Sequence, residues 1–302
     1  MDFRELQYIL TIAKTQSVTK ASHELFITQP TLSKFVQNLE RELGQPLFKR
    51  LGNKFLLTYA GERYVEKARQ ILLLKKELDQ ELSDITRENI GELKIAFPVM
   101  RGTYMLPCTL PIFRTQYPFV RVNVQEANSS VLEDMLLRGD IDLAFFNLPI
   151  KSPDIDYELI KHEEVVLIMS PDHPLANSGI SRKGCKYPWI DLKNIREEGV
   201  ILQRSDQRTR QIVDKLFKKA GYEPNILLSI RNILASVELA TSGYGLTFVS
   251  ETHLRHIKLN VEPVRFSVGD PCTTASFVAA FRKGIYLPQY TKEYIQTVRK
   301  FT

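Results

Sequence analysis

The sequence predicts an α/β chain in three parts: a small helical head with a two-stranded hairpin, one long helix, and a larger region built twice from alternating strands and helices. Three observations predict it. Apolar residues recur at helical spacing from Phe3 to Leu43, in three short blocks. Between Gly61 and Glu88 there is no proline and no further glycine. From Gly91 onward, short apolar runs interleave with amphipathic helices, the signature of a parallel α/β sheet.

A chain of 302 residues is long enough for two or three compact units, and 43% hydrophobic with 25% charged residues is an ordinary globular composition. The formal net charge of +6 permits nucleic acid or acidic ligands as partners but does not establish either. The opening residues, Asp2-Phe3-Arg4-Glu5-Leu6, are charged and amphipathic, unlike an export signal. No apolar run approaches the ~20 residues that span a bilayer, so the expectation is a cytoplasmic chain with no membrane partner. The cysteines, Cys108, Cys185 and Cys272, are scattered and odd in number. That argues against a disulfide framework and favours three separate thiols. Cys185 and Cys272 would make a redox pair only if the fold brought them together.

In the head (residues 1–58), Phe3, Leu6, Ile9, Leu10 and Ala13 mark a first amphipathic helix. Ser17 reads as the N-cap of a second, whose buried stripe is Ala21, Leu25 and Phe26. Thr28 caps a third, with Pro30 in its first turn, where a missing N–H costs little. Leu32, Val36, Leu39 and Leu43 face inward there, and Gly44 ends the helix. Only Ile27 and Thr28 separate the second and third helices, which predicts helix-turn-helix geometry. The outward face of the third helix carries Gln29, Thr31, Ser33, Lys34, Gln37, Asn38 and Arg41, with no acidic residue before Glu40. Such a face can donate to phosphates and read base edges, although a solvated polar face has the same composition. Pro46-Leu47-Phe48-Lys49-Arg50, then Gly52-Asn53-Lys54, then Phe55-Leu56-Leu57-Thr58 read as a hairpin wing with a basic turn. Lys49, Arg50 and Lys54 are placed to reach the phosphate backbone beside a groove.

The runs Ser17-Val18-Thr19-Lys20-Ala21-Ser22, Thr28-Gln29-Pro30-Thr31-Leu32-Ser33-Lys34, Leu39-Glu40-Arg41-Glu42-Leu43-Gly44, Leu47-Phe48-Lys49-Arg50 and Leu57-Thr58-Tyr59-Ala60-Gly61 resemble the signature of LysR-type transcriptional regulators in order and spacing. The resemblance covers about sixty residues and implies a bacterial-type, sequence-specific regulator with a winged helix-turn-helix. It implies that the third helix lies in the major groove of double-stranded DNA, with Gln29, Pro30, Ser33 and Lys34 making base and backbone contacts. Phe35 departs from the family's more usual polar or small residue; it either packs within the domain or touches DNA.

The long helix (residues 59–90) starts at the N-cap candidate Thr58, with Glu62 in its first turn. Tyr64, Ala68, Ile71, Leu78, Leu82 and Ile85 form an apolar seam interrupted by Lys75. The seam either packs on the head or pairs with a second copy; a helix of roughly 45 Å between two globular regions favours dimerisation. The resemblance likewise implies a linker helix that dimerises, within a homodimer or homotetramer, and RNA polymerase as a partner.

In residues 91–302, strands are predicted at Leu93–Phe97, Val120–Val124 and Ile141–Phe146, with helices at Thr103–Gln116 and Ser129–Arg138. A second round has strands at Glu164–Met169, Val200–Gln203, Asn225–Ile230 and Leu246–Val249, and helices near Gln207–Ala220 and Ile233–Ser242. Pro118, strand, Asn128, helix, Gly139, Asp142-Leu143-Ala144-Phe145 parallels Pro224, strand, Asn232, helix, Gly243, Gly245-Leu246-Thr247-Phe248. The repeat predicts two lobes, the first at about 91–163 plus 266–302 and the second at about 164–265. The layout resembles the effector domain of LysR-type regulators and periplasmic binding proteins. In open α/β sheets ligands sit beyond strand carboxyl ends and near helix N-termini. Those positions are Val99, Met100, Arg101, Gly102, Thr103, Asn128, Ser129, Ser130, Phe146 and Asn147 from the first lobe, and Gln203, Arg204, Ser205, Asn232 and Thr247 from the second. Hydroxyl and amide donors there favour a small anionic effector, with Arg101, Arg204 or Arg231 as a charge clamp, although most arginines sit in ordinary ion pairs.

No catalytic constellation emerges: GxSxG, GxxxxGK[ST] and HExxH are all missing from the sequence. His253 and His256 read as a surface pair, Glu163-Glu164 and Glu197-Glu198 as solvated charge, and Cys185 as a thiol in a basic stretch without a base. The expectation is a binding protein with no catalytic residues, metal or cofactor. A solute-binding protein would share the two-lobed region but not the head. An enzyme with a DNA-binding appendage would turn its small molecule over.

Overall fold

A computed structural model describes residues 2–52, 54–86 and 89–302. It divides into two compact units at residue 86.

The first unit begins with α1 (Phe3–Thr15), α2 (Val18–Glu24) and α3 (Gln29–Leu43). Its caps are those the sequence predicts. Asp2 and Glu5 form a reciprocal capping box on α1, Ser17 accepts from Lys20 N, and Gly44 closes α3 with φ 65°. Ile9, Ile12, Ala21, Leu32 and Val36 bury together with Leu47 and Phe48. The second helix is shorter than expected. It ends at Glu24, Leu25 is only half-buried, and Phe26 takes φ 54° and points to solvent at 95% exposure. Phe26 therefore leaves the predicted buried stripe, because the turn needs a left-handed residue there. Phe35 packs inside the unit, edge-on to Tyr8 at 5.4 Å.

β1 (Phe48–Leu51) and β2 (Lys54–Leu57) pair antiparallel, with Phe48 stacked on Phe55. The turn residue Asn53 lies outside the described residues. α4 (Tyr59–Thr86) follows, with Thr58 Oγ1 accepting from Gly61 N at 3.0 Å. A Cβ on Gly61 would lie 2.0 Å from the Leu47 carbonyl oxygen, so only glycine lets the helix start so close to the wing. Val65 joins the core of this unit, and Ala68 is buried. Farther along, Leu74, Leu78 and Leu82 are exposed. The first turns of the helix thus pack on the head, and its later leucines face outward. The Ile85 side chain and residues 87–88 of the predicted linker lie outside the described set; Asn89 and Ile90 are not helical.

The second unit runs β3 (Gly91–Phe97), α5 (Val99–Gln116), β4 (Val120–Glu126), α6 (Ser129–Arg138), β5 (Leu143–Asn147) and β6 (Ile155–Met169). After a 3-10 turn at Leu192–Ile195 come β7 (Gly199–Gln203), α7 (Arg208–Ala220), β8 (Asn225–Ile230), α8 (Ile233–Thr241), β9 (Leu246–Ser250) and α9 (Glu251–Leu254). β10 (Val264–Ser267), β11 (Thr274–Arg282) and α10 (Gln289–Lys300) complete it. In the first lobe β3 lies between β4 and β5, all parallel; in the second β7 lies between β8 and β9, again parallel. Each round therefore builds the same three-strand unit, as the internal repeat anticipates.

The sheet is mixed rather than parallel. β6 runs antiparallel to β11 along its first half and antiparallel to β9 and β10 along its second, so one strand crosses between the lobes. Only its second half was expected. The predicted return to the first lobe at residue 266 falls inside β10, which still pairs with the second lobe's part of β6; the return is made by β11. Phe97, Phe113, Phe145, Phe277 and Tyr294 anchor the first lobe's core, and Leu167, Leu202, Phe217, Phe248 and Phe266 the second's. The expectation of three separate thiols is also corrected: Cys185 and Cys272 are joined as a disulfide, and Cys108 is free. The fold brings 87 positions of separation to a Cα–Cα distance of 5.7 Å.

Candidate functional site

On the head, α3 presents Gln29, Pro30, Thr31, Lys34 and Gln37 to solvent, beside the exposed cap Thr28. Ser33 is half-buried and accepts from Gln29 Nε2 at 3.1 Å. Thr28 Oγ1 accepts from Thr31 N at 3.4 Å and meets Thr31 Oγ1 at 2.8 Å. These contacts order the first turn before any partner arrives, which lowers the entropy cost of binding. Pro30 adds rigidity without wasting a donor. Lys49, Arg50 and Lys54 are exposed on the wing. Glu40 fixes the wing's start, because its Oε1 accepts from Leu47 N (2.7 Å) and Phe48 N (3.0 Å). Phe55 N donates to Gln16 O at 2.9 Å, tying the second strand to the end of α1. The head residues singled out from sequence for DNA contact all lie on α3 with its cap or on the wing. Phe26, beside them at the turn, was assigned to the core; its spacing after Ala21 and Leu25 carries no sign of exposure.

A pocket in the second unit is lined from both lobes, by Pro98, Met100, Arg101, Asn128, Ser129, Phe146 and Asn147 on one side and by Gln207, Arg208, Thr209, Ile233 and His253 on the other. The structure thus brings together Met100, Arg101, Asn128, Ser129, Phe146 and Asn147 of the predicted set. Val99 and Thr103 point to solvent on α5, Gly102 is buried behind it, and Asn232 is the exposed cap of α8, accepting from Ala235 N. Gln203 and Thr247 are fully buried in the sheet; Thr247 Oγ1 donates to Ile201 O. None of these six lines the pocket.

Buried charge crosses this pocket. Arg101 donates to Glu163 at 2.6 Å, with side chains 4% and 0% exposed, and Glu163 also accepts from Thr252. Arg208 on α7 pairs with Glu133 on α6, again with both side chains nearly sealed from water. Arg101 sits in the first turn of the helix after β3, and Arg208 in the first turn of the helix after β7. Each round therefore places one arginine in the first turn of the helix after its central strand, Arg101 as the third residue of α5 and Arg208 as the first of α7. That shared placement was a signal in the sequence for Arg208, once the strand-helix register was known. Glu163 corrects the reading of solvated charge at Glu163-Glu164: both are buried. His253 is buried too, with Nδ1 3.4 Å from Tyr104 OH, whereas His256 is exposed and stacks on Tyr104. Burial, then the Arg101 charge, pushes the His253 pKa well below its ordinary value, so the ring is neutral. Burial raises Tyr104 to about 12. Burial, the largest single effect, works against the Arg101 charge, but the charges of Glu163 and Tyr104 and the hydrogen bonds to both together outweigh it and hold the guanidinium charged.

Asn128 and Gln207 make no cap bond to their own helices. Asn128 Nδ2 donates to Asp206 at 2.6 Å, and Asp206 pairs with Arg231 at 2.8 Å, a second bridge between lobes. Arg208 Nε and Asn147 Oδ1 are buried without a hydrogen-bond partner among the described residues. Among the described residues a grouping with metal-ligand spacing occurs at Glu164, Cys185 and Cys272, away from this pocket's lining.

Residues 3–62 match the family model described as bacterial regulatory helix-turn-helix protein, lysR family, and residues 86–302 the one described as LysR substrate binding domain. The chain is 30% identical over 256 residues to the uncharacterized HTH-type transcriptional regulator YcgK of Bacillus subtilis (strain 168), covering 82% of this chain and 79% of that one. Among solved structures, CbnR complexed with its target DNA is 25% identical with a TM-score of 0.63, covering 100% of both chains. A full-length OxyR variant from Pseudomonas aeruginosa shares the fold at TM-score 0.76 and 22% identity, covering 99% of this chain and 95% of that one.

Proposed function

The chain belongs to the LysR family of DNA-binding transcription regulators, and from that premise we propose that a small anionic effector, of the carboxylate class, binds between the two lobes and sets its activity. One observation carries this reading. The interlobe pocket holds two buried arginines, each in the first turn of the helix after its lobe's central strand, and one of them, Arg208, has an Nε with no partner among the described residues. A buried donor without a partner costs about 1–3 kcal/mol, and an anion would recover that cost. The uncapped first turns of α6 and α7 add backbone donors beside it. Glu163 and Glu133 hold the guanidinium groups in place, so the effector need not order them.

The regulator reads DNA with Thr28, Gln29, Pro30, Thr31, Ser33, Lys34 and Gln37 on and before α3, while Lys49, Arg50 and Lys54 on the wing contact phosphate. It works in the cytoplasm as a homodimer or homotetramer, with the exposed Leu74, Leu78 and Leu82 of α4 packed against a second copy. Effector binding stabilises one lobe arrangement and thereby changes how the paired heads engage DNA and recruit RNA polymerase. The effector is bound and released unchanged.

A thermal-shift series on the full chain tests the effector reading. Small mono- and dicarboxylates are compared with matched neutral amides, in wild type and Arg208→Ala. A carboxylate that raises the unfolding midpoint in a concentration-dependent way, and fails to do so in the variant, is the expected result. Stabilisation by the amides but by none of the acids would sink the anionic assignment. Recovery of the bound acid in altered form would replace a binding protein by an enzyme.

A further inference from the structure

Cys185 and Cys272 lie outside the effector pocket, on two loops of the second lobe. Their Cα–Cα distance of 5.7 Å falls in the middle of the range a disulfide spans. We propose that this pair is a reversible thiol–disulfide modification site, read by small disulfides of the glutathione type, and that its state acts on the interlobe pocket through Glu251. The second clause rests on the effector reading given above; the first does not.

The two loops are held together whether or not the sulfurs are bonded. Trp189 Nε1 donates to Gly269 O at 2.8 Å, Tyr187 N to Ser267 Oγ at 3.0 Å, and Arg182 pairs with Asp270 at 2.6 Å. Ile190 N donates to Ser267 O and Ser267 N to Pro188 O. Opening the bond therefore leaves the sulfurs facing each other, ready to close again. Both cysteines are half-buried, within reach of a small reagent.

Glu164 gives the reduced form a partner. A carboxylate oxygen of Glu164 lies within 4.8 Å of both sulfurs. Its Oε2 accepts from Lys186 N at 3.1 Å, while Oε1 is buried without a hydrogen-bond partner among the described residues. A disulfide has no proton to offer that oxygen, whereas a dithiol has two. The carboxylate thus favours the reduced pair and stands unsatisfied in the oxidised one.

The route to the pocket is short. Lys186 and Tyr187, next to Cys185, both bind Glu251, the latter through its hydroxyl at 2.9 Å. Glu251 opens α9, and the next two residues reach the pocket: Thr252 holds Glu163 and accepts from Arg101, and His253 is part of the lining. A shift of the Cys185 loop is passed to the residues that fix Arg101.

The exchange balances as follows. One protein thiolate attacks the small disulfide, forming a mixed disulfide and releasing one small thiolate. The second protein thiolate attacks the protein sulfur of that mixed disulfide and expels the other small thiolate. Two protein thiols are oxidised, one small disulfide is reduced to two thiols, and the two protein protons end on the leaving thiolates.

The test uses the full-length protein equilibrated in glutathione buffers of graded ratio, then alkylated in denaturant and weighed intact. The expected result is one transition in which two thiols disappear together while Cys108 stays alkylated. The emission of Trp189, the single tryptophan, should change along the same curve. Cys185→Ser and Cys272→Ser should each abolish that transition. Three alkylated thiols in every buffer overturn the proposal, and so does a bond that dithiothreitol leaves intact in the folded protein. Stoichiometric zinc on the reduced protein, with thiols that react only after chelation, assigns the cluster to a metal instead. Glu164→Gln should move the midpoint roughly three- to tenfold toward the disulfide; an unmoved or opposite midpoint removes Glu164 from the site. Hydrogen exchange compares the two states without needing an effector. Faster exchange at 251–256 in the reduced protein is expected, and a difference confined to 180–190 and 268–274 overturns the link to the pocket.

Discussion

The head and the interlobe pocket hold polar side chains in opposite ways. On α3 and the wing, Gln29, Lys34, Lys49 and Lys54 stand in water, and what is fixed is the backbone beneath them, through Thr28, Glu40 and Thr58. In the pocket, Arg101 and Arg208 are sealed from water and each is bonded to a glutamate. The first arrangement suits a partner that brings its own dense charge and can displace water and counterions. The second suits a small partner, whose few atoms must find donors already desolvated and aimed. Mutations should therefore trade places: head substitutions change binding with little effect on folding, and pocket substitutions change folding as well as binding.

The largest effect is expected at Arg101. Arg101→Ala strands the Glu163 carboxylate in the interior, which typically costs 3–5 kcal/mol. Denaturant unfolding followed through Trp189 measures this, since that residue reports on the second unit. A loss below about 1 kcal/mol would mean that water reaches Glu163, and the contrast with the head would weaken. Next comes Gln29→Ala, which should cost about 1–3 kcal/mol at a specific site and relax base preference, with an unfolding midpoint unchanged from wild type. Specific binding untouched at fixed salt would remove α3 from the groove.

His253 sharpens the comparison from the pH side. Its folded pKa is depressed by burial and by Arg101, so the unfolded chain binds the proton first as pH falls. Stability should therefore be complete above the ordinary histidine value of ~6.5 and decline below it. Wild type compared with His253→Gln between pH 7 and 5.5 isolates the contribution as a difference in slope. Parallel slopes would mean that His253 is protonated in the fold.

The same contrast explains what could be read from residues alone. The head was legible because its function is local: caps, a proline at the first turn and a polar face at helical period all lie within about sixty positions. Phe26 escaped because exposure at a left-handed turn leaves no periodic trace. Most strands of the second unit were legible from alternation, and its repeat from matching punctuation. The first half of β6 was not, because Tyr157, Glu158, Leu159 and Lys161 mix polar and apolar residues on an edge that is only partly covered. Pairings across long separations were hidden altogether. Glu163 looks solvated until Arg101, 62 positions away, is placed beside it. Cys185 and Cys272 look isolated until β10 and the loop before the 3-10 turn are packed together.

The smallest effect is expected on the wing. Lys49 and Lys54 are exposed, the first on β1 and the second at the start of β2, and neither has an ion pair among the described residues whose loss would disturb the fold. Lys49→Ala or Lys54→Ala should weaken specific and non-specific DNA by the same factor, at well under 1 kcal/mol of folding stability. The diagnostic is the salt dependence. Removing one phosphate contact should reduce the slope of log K against log salt by about 1. Affinity measured at four or more salt concentrations on two unrelated duplexes gives that slope for each variant. If Lys54→Ala changes base preference instead of slope, the wing enters a groove, and reading of sequence is shared between it and α3.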